Sequence, residues 1–216
     1  MTLRHPQGEA ARPAQGEPEP RRGLRIFGID PGSRRTGYGC IEMDGRRVRL
    51  VLCGAIAVPP AESFPQRLAL IHRELLQLLR SCQPECVAVE NLFHANNVRS
   101  ALKLGHARGV AMLAAVEAGC DLVEYTPAEV KRAVVGYGRA EKPQVQQMVK
   151  LLLNMPQVPS PHDAADALAI ALCHLHTLPS TRVAVAATAR AAQASGDRKA
   201  SRVPRSWRDY RPPVGG

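Results

Sequence analysis

Two kinds of spacing organise the chain. Between Leu24 and Val58, apolar and β-favouring residues fall into three runs, Leu24 to Asp30, Thr36 to Met43 and Val48 to Val58, broken by Pro31-Gly32-Ser33 and by Asp44-Gly45. Short runs divided by turn residues predict three strands in an antiparallel meander. From Phe64 to Ser81 the period changes: Leu68, Ile71, Leu75, Leu78 and Leu79 recur at helical spacing, a stripe that would cover one face of a sheet. Cys86 to Glu90 is a short continuous apolar run, as expected of a strand buried on both faces. Asn96 is placed to cap a helix reaching about Ala118, and Leu122 to Tyr125 reads as a fifth strand. Helical patterns follow at Pro127 to Val135, Lys142 to Asn154 and His162 to Thr177. A meander followed by alternating helices and strands predicts an α/β fold: a mixed five-stranded sheet with helices on both faces.

Composition sets the limits of that body. Residues 1–22 mix Pro, Gly, Glu and Arg with few large apolar side chains, so they are expected to form a disordered tail. Beyond residue 179 an Ala-rich stretch, with a short helix expected over Val183 to Gln193, leads into a segment in which eight Arg or Lys from Arg182 to Arg211 face only Asp197 and Asp209. Residues 180–216 therefore read as a flexible basic arm and residues 23–179 as one ordered domain. With 216 residues and 45% hydrophobic content, one core is affordable and two are not. The 29 Lys and Arg against 19 Asp and Glu leave a formal charge of +10, which suits a polyanionic partner such as nucleic acid. Cys40, Cys53, Cys82, Cys86, Cys120 and Cys173 contain no CxxC pair, which argues against a zinc site and for free thiols in a reducing cytosol. No apolar run approaches the roughly 20 residues that span a bilayer.

The chemistry rests on acids at unusual places. Asp30 closes a strand and precedes a tight turn, so its carboxylate would project at the end of the sheet. Glu90 closes another buried strand whose own residues Val87, Ala88 and Val89 offer it no cation. If those strands are parallel neighbours, the two acids emerge side by side at the strand ends, where α/β sheets place ligands. Asp163 and Asp166 in the segment 163-DAADALAIALCH lie about one turn apart on one helix face, with Leu168, Ala171, Leu172 and Leu175 as the buried stripe. Each acid alone reads as a turn or helix-start residue. Together they resist burial, because two charges about 4 Å apart repel by roughly 4 kcal/mol at an effective dielectric of 20. Hard divalent cations, Mg²⁺ above all, answer that repulsion while sharing the carboxylates with substrate phosphates. Two such ions can activate water and stabilise the leaving oxygen of a phosphodiester hydrolysis.

The stretches GIDPGSRRTGYG, VAVEN with Phe93 soon after, SALKLGHARGVAMLAAVE, VKRAVVGYGRAEK followed by QVQQMV, and DAADALAIALCH together resemble, in order and spacing, the RuvC Holliday-junction resolvases over about residues 24–177. The resemblance implies a ribonuclease H-like fold, a homodimer, and symmetric cutting of two opposed strands of a four-way DNA junction to leave 5′-phosphate and 3′-hydroxyl ends. It implies that Asp30, Glu90, Asp163 and Asp166 hold two Mg²⁺ ions per subunit, with Mn²⁺ able to substitute. His162, directly before Asp163, is a substitute-ligand candidate because some members use a histidine in this cluster. By the same resemblance Phe93 is the aromatic that probes the junction centre, and Lys131 and Lys142 stand near the scissile phosphates. The RuvA–RuvB branch-migration complex is the implied partner and the bacterial cytoplasm the implied setting. Arg99, Lys103 and Arg108 on the long helix are candidates for tracking phosphates. Ala101, Gly105 and Gly109 on that helix form a smooth stripe, for packing on the sheet or on a second copy across a two-fold axis.

Three rival readings share parts of this pattern. An actin-like or sugar-kinase-like ATPase also has a strand followed by Asp-x-Gly-Ser, but it needs two related subdomains and a second such loop. A ribonuclease H-like RNA nuclease shares the opening motif, and the DAAD helix and Phe93 loop count against it. A non-catalytic junction-binding protein would have to retain all four acids by accident.

Overall fold

The computed structural model describes residues 22–91 and 97–178. Strands β1 (Leu24–Asp30), β2 (Arg35–Asp44) and β3 (Arg47–Ala57) form the expected meander, each antiparallel to the next. Helix α1 (Phe64–Cys82) leads to β4 (Cys86–Glu90), which pairs parallel with β1. Helix α2 (Val98–Glu117) then returns the chain to β5 (Asp121–Tyr125), parallel to β4. The sheet order is β3-β2-β1-β4-β5. Helices α3 (Pro127–Val135), α4 (Lys142–Leu152) and α5 (His162–Thr177) complete the domain. Among the described residues no helix is long and apolar enough to cross a membrane.

The boundaries departed from the sequence pattern where local chemistry intervened. The cap of α2 is Asn97, whose side chain accepts the Ser100 N–H at 2.8 Å, whereas Asn96 lies outside the described residues. Helix α4 stops at Leu152, two residues before the expected end, and Asn154 adopts a left-handed φ of 49°.

Strand alternation sorts the core into two layers. Phe27, Ile29, Val87 and Val89 face α1 and α2, whereas Ile26, Ile41 and Ala88 face α3, α4 and α5. By the same parity Asp30 follows Ile26 and Gly28, and Glu90 follows Ala88, so both acids leave the sheet on the side of α5.

Helix α5 differs from its expected form. Besides Leu168, Ala171, Leu172 and Leu175, the side chains of Ala164, Ala165, Ala167, Ala169, Ile170, Cys173 and His174 are also buried. The sheet covers one flank and α3 and α4 cover the other, so the helix is buried nearly all round rather than along one stripe. Its approach to the sheet is set by glycines. A Cβ on Gly28 would stand 1.9 Å from the Ala167 carbonyl oxygen, one on Gly37 would stand 2.1 Å from the Asp163 carbonyl oxygen, and one on Gly39 would stand 2.6 Å from the Leu168 side chain. Backbone thus meets backbone where side chains would normally intervene.

At the other end of β1, Glu42 is 2% exposed and accepts from Arg25 Nε at 2.6 Å and from Arg49 at 2.7 Å. Burial pushes its carboxyl up, but the two guanidiniums and the Gly23 amide outweigh that and hold it at about 2. This acid fastens three strands together.

Gly28→Ala tests the close approach. A methyl group placed against a backbone carbonyl forces α5 outward, an overpacking cost of about 1–3 kcal/mol. We expect a thermal midpoint lower by about 2–10 °C. An unchanged melting curve would show that the helix has room to spare.

Candidate active site

The register makes the first pair of acids neighbours. Ile29 is paired with Val89 across β1 and β4, so Asp30 and Glu90 come next on adjacent parallel strands. The turn after Asp30 is held by the Thr36 hydroxyl, which donates to the Gly32 carbonyl at 2.9 Å. Gly32 is required there, since a Cβ would lie 2.1 Å from the Arg35 carbonyl oxygen. Against these strand ends α5 sets its first turns, with Asp163 and Asp166 on the side that meets them. The N-terminus of that helix favours negative charge.

Two further helices bring cations. Thr126 caps α3 through a reciprocal pair of hydrogen bonds with Glu129, and Lys131 follows one turn into the helix. Gly136, with φ 96°, ends α3 and lets the chain turn back. Glu141 then caps α4, whose first residue is Lys142. Asp30, Glu90, Pro127, Lys131, Lys142, Val145 and Asp166 line one open cleft of about 300 Å³. Lys142 Nζ lies 2.6 Å from Asp166 Oδ2.

The electrostatics of the cleft are those of acids held too close. Burial raises the Asp30 carboxyl from its ordinary 3.8 to about 8, helped by Glu90, Asp166 and Asp163 and opposed by Lys142. Glu90 is raised by burial and by Asp166, against Lys142 and Lys131. Asp166 is also raised, burial outweighing its hydrogen bond to Lys142. Lys142 loses to burial but gains more from Asp166, Asp30 and Asp163, and is raised overall. Both members of the Lys142–Asp166 pair rise, because burial of Asp166, helped by Asp163, outweighs the pull of its partner.

Asp163 takes a different position, on the rim. Its side chain is 31% exposed and faces Arg35, whose Nη1 lies 3.5 Å from Asp163 Oδ2. Arg35 was not singled out by sequence motifs. The signal was its parity with Gly37 and Gly39 on β2, which puts it on the strand face that α5 covers. His162 is exposed at the start of α5, where its charge bears on Asp166.

The other residues marked in the sequence are spread along α2 or lie elsewhere. Phe93 lies outside the described residues, as does the basic arm. Arg99 is exposed in the first turn of α2. Lys103 stands over the Phe64 ring, 5.9 Å from its centroid. Arg108 is turned inward and bonds Glu124 of β5 at 2.6 Å, so its charge is already spent on tying α2 to the sheet. The Ala101, Gly105 and Gly109 stripe is exposed, and a Cβ on either glycine would meet nothing within 4 Å. The face that packs on the domain is instead Ala107, Ala111, Ala114 and Ala115.

Among the described residues no group of three or more His, Cys, Asp or Glu side chains converges closely enough to hold a metal ion as it stands. The donor set nevertheless suits hard divalent cations. Carboxylate oxygens are their preferred ligands, and the burial and neighbouring acids that raise the Asp30 carboxyl to about 8 penalise a charge that a bound cation would stabilise. An open arrangement of carboxylates, with part of the shell left to water and phosphate, is how Mg²⁺ is usually held.

A mixed sheet in this order, with two acids at adjacent strand ends and two on the helix across them, defines a ribonuclease H-like nuclease. A family model described as crossover junction endodeoxyribonuclease RuvC matches residues 26–174. The crossover junction endodeoxyribonuclease RuvC of Koribacter versatilis is 55% identical over 155 residues, covering 71% of this chain and 93% of that one. Its counterpart from Trichlorobacter lovleyi is 47% identical over 189 residues, covering 88% of this chain and all of its own. The solved Thermus thermophilus RuvC in complex with Holliday junction substrate is similar at 38% identity and a TM-score of 0.68, over 71% of this chain and 93% of that chain. The chain belongs to the RuvC family of crossover junction endodeoxyribonucleases.

The raised Asp30 gives a stability test free of catalysis. A carboxyl whose folded value lies above its unfolded value contributes stability below about pH 4, and that contribution is lost as pH rises through about 8. In a metal chelator, Asp30→Asn should therefore melt several degrees higher than wild type at about pH 9, and the gap should close towards about pH 5. Identical melting of the two proteins across that range would contradict the crowded cleft.

Proposed function

We propose that this chain resolves four-way DNA junctions by hydrolysing one phosphodiester in each of two opposed strands, leaving 5′-phosphate and 3′-hydroxyl ends. One observation carries the reading: Asp30 and Glu90, neighbours at parallel strand ends, face Asp166 and Lys142 across a single cleft, with the Asp30 carboxyl driven up to about 8. Asp30, Glu90, Asp163 and Asp166 would hold two Mg²⁺ ions per subunit, with Mn²⁺ able to replace them and His162 beside the cluster as a substitute ligand. When bound, such ions supply an activated water near neutral pH and offset charge on the leaving oxygen.

The chain's own groups do the rest. Strand pairing fixes the backbone at Asp30 and Glu90, so both carboxylates start from set positions at the strand ends. Lys142 and Lys131 enter from the opposite wall, where ammonium groups orient a phosphate and stabilise charge that develops on it. Arg99 and Lys103 extend that positive charge along α2, and Phe93, outside the described residues, is the aromatic that would stack on an unpaired base. Residues 1–21 and 179–216 lie outside the described residues, and the Arg- and Lys-rich composition of 180–216 suits DNA phosphates.

Two-fold action requires two sites. The outer face of α2 supports a homodimer: Val98, Leu102 and Leu113 are 77%, 59% and 51% exposed, and they flank the smooth line of Ala101, Gly105 and Gly109 in an apolar groove of about 690 Å³. A second copy of the same face would fill it with close backbone contact. The implied partner beyond DNA is the RuvA–RuvB branch-migration complex, in the bacterial cytoplasm.

The deciding assay compares a synthetic four-way junction with linear duplex and an RNA–DNA hybrid in Mg²⁺. The junction alone should be cut efficiently. Asp30→Asn should lose cleavage and keep junction binding; cleavage at the wild-type rate would sink the assignment of the cleft. Lys142→Ala should slow cleavage by about 10²-fold or more while weakening binding far less. A defect confined to binding would reduce Lys142 to a phosphate contact.

For the dimer, Leu113→Glu places a charge in the groove without touching the core. Sedimentation should show a monomer where wild type is a dimer, with paired cuts replaced by single nicks. A dimer that persists in this variant would move the interface elsewhere.

A further inference from the structure

The reading of the site leaves one cation beside it without a task. Arg35 opens β2, directly after the turn that follows Asp30, and its backbone is fixed by pairing with Ala57 and by the Thr36–Gly32 hydrogen bond. Its side chain shares a strand face with Gly37, the glycine on which the Asp163 backbone is seated. The guanidinium is thus delivered to the rim of the cleft by two constraints that are both backbone constraints. Lys131 and Lys142 approach the acids from α3 and α4; Arg35 approaches from β2.

The contact it makes there is a weak one. Nη1 and Oδ2 are 3.5 Å apart, and the side chains of Arg35 and Asp163 are 51% and 31% exposed. Ion pairs so open to water contribute little and exchange readily. A divalent cation held by Asp163 would compete with Arg35 for that carboxylate. One carboxylate oxygen that faces a guanidinium cannot turn fully to a metal without loosening that pair.

We propose that Arg35 is a phosphate-binding residue of the cleavage site, held on Asp163 in the DNA-free chain and released to the DNA backbone when Asp163 turns to a divalent cation. The ligand class is a phosphodiester of the strand lying in the cleft. The planar guanidinium can grip two phosphate oxygens at once, which an ammonium cannot. Cation and DNA binding are coupled through this exchange: the ion takes the carboxylate and frees the arginine for the phosphate.

The inference rests on Asp163 being a ligand, so its test carries Asp163→Asn as a control. Mn²⁺ binding to the DNA-free full-length protein is followed by calorimetry, and junction binding is measured in Ca²⁺ over a range of salt. Arg35→Ala should bind Mn²⁺ two- to fivefold more tightly, the worth of an exposed ion pair that no longer competes. The same variant should bind the junction more weakly, with a salt slope smaller by about 1. Arg35→Lys should restore the slope, since the charge returns. Unchanged or weakened Mn²⁺ affinity in Arg35→Ala would overturn the exchange, and an unchanged salt slope would overturn the phosphate contact. If instead Asp163→Asn binds Mn²⁺ and cleaves as wild type does, the assignment of Asp163 fails first, and the exchange fails with it.

Discussion

Everything in the cleft depends on how close α5 comes to the sheet. Gly28 on β1 and Gly37 and Gly39 on β2 remove the side chains that would hold the helix at ordinary packing distance. The helix answers with alanines at positions 164, 165 and 167, so two smooth surfaces meet. Acids on a helix and acids on strand ends then share one small volume, although they are far apart in sequence. With larger residues at the contact, the same four carboxylates would exist without forming a site.

That closeness is costly, and the molecule contains an acid that shows the difference. Glu42 is 2% exposed, yet it is held at about 2 because Arg25 and Arg49 satisfy its oxygens. Asp30 is driven to about 8 first by its burial and then by the acids Glu90, Asp166 and Asp163, with Lys142 alone pulling the other way. One carboxylate stabilises the fold and the other strains it. A site of this kind keeps its negative field for a ligand, and stability has to come from elsewhere, here from two apolar layers and a buried central helix.

Most of this architecture was legible in the sequence, for physical reasons that differ by element. Strand and helix patterns located β1, β4, α3 and α5 with their observed ends, because each is bounded by a turn residue, a proline or a cap. The parallel pairing of β1 with β4 stood in the sequence only as a condition for bringing Asp30 and Glu90 together, and the register meets it. Less visible were features that depend on three dimensions. A glycine in a strand gives no sign of which backbone it will touch, and a stripe of small residues on α2 does not reveal which side faces outward. Arg108 looked like Arg99 and Lys103 in sequence, but Glu124 on β5 claims it. Arg35 was hidden in the opposite way, since its importance comes from strand parity and from Asp163, which lies more than a hundred residues further along.

The order of the elements along the chain has a consequence for synthesis. Asp30 and Glu90 leave the ribosome early, on strands that can pair as soon as both are free, whereas α5 is the last described element to emerge and brings Asp163 and Asp166 with it. Until that helix docks, the nascent chain has half of its acids, with one face of its sheet still uncovered. The candidate cutting centre and the completed core thus both wait on the docking of one helix.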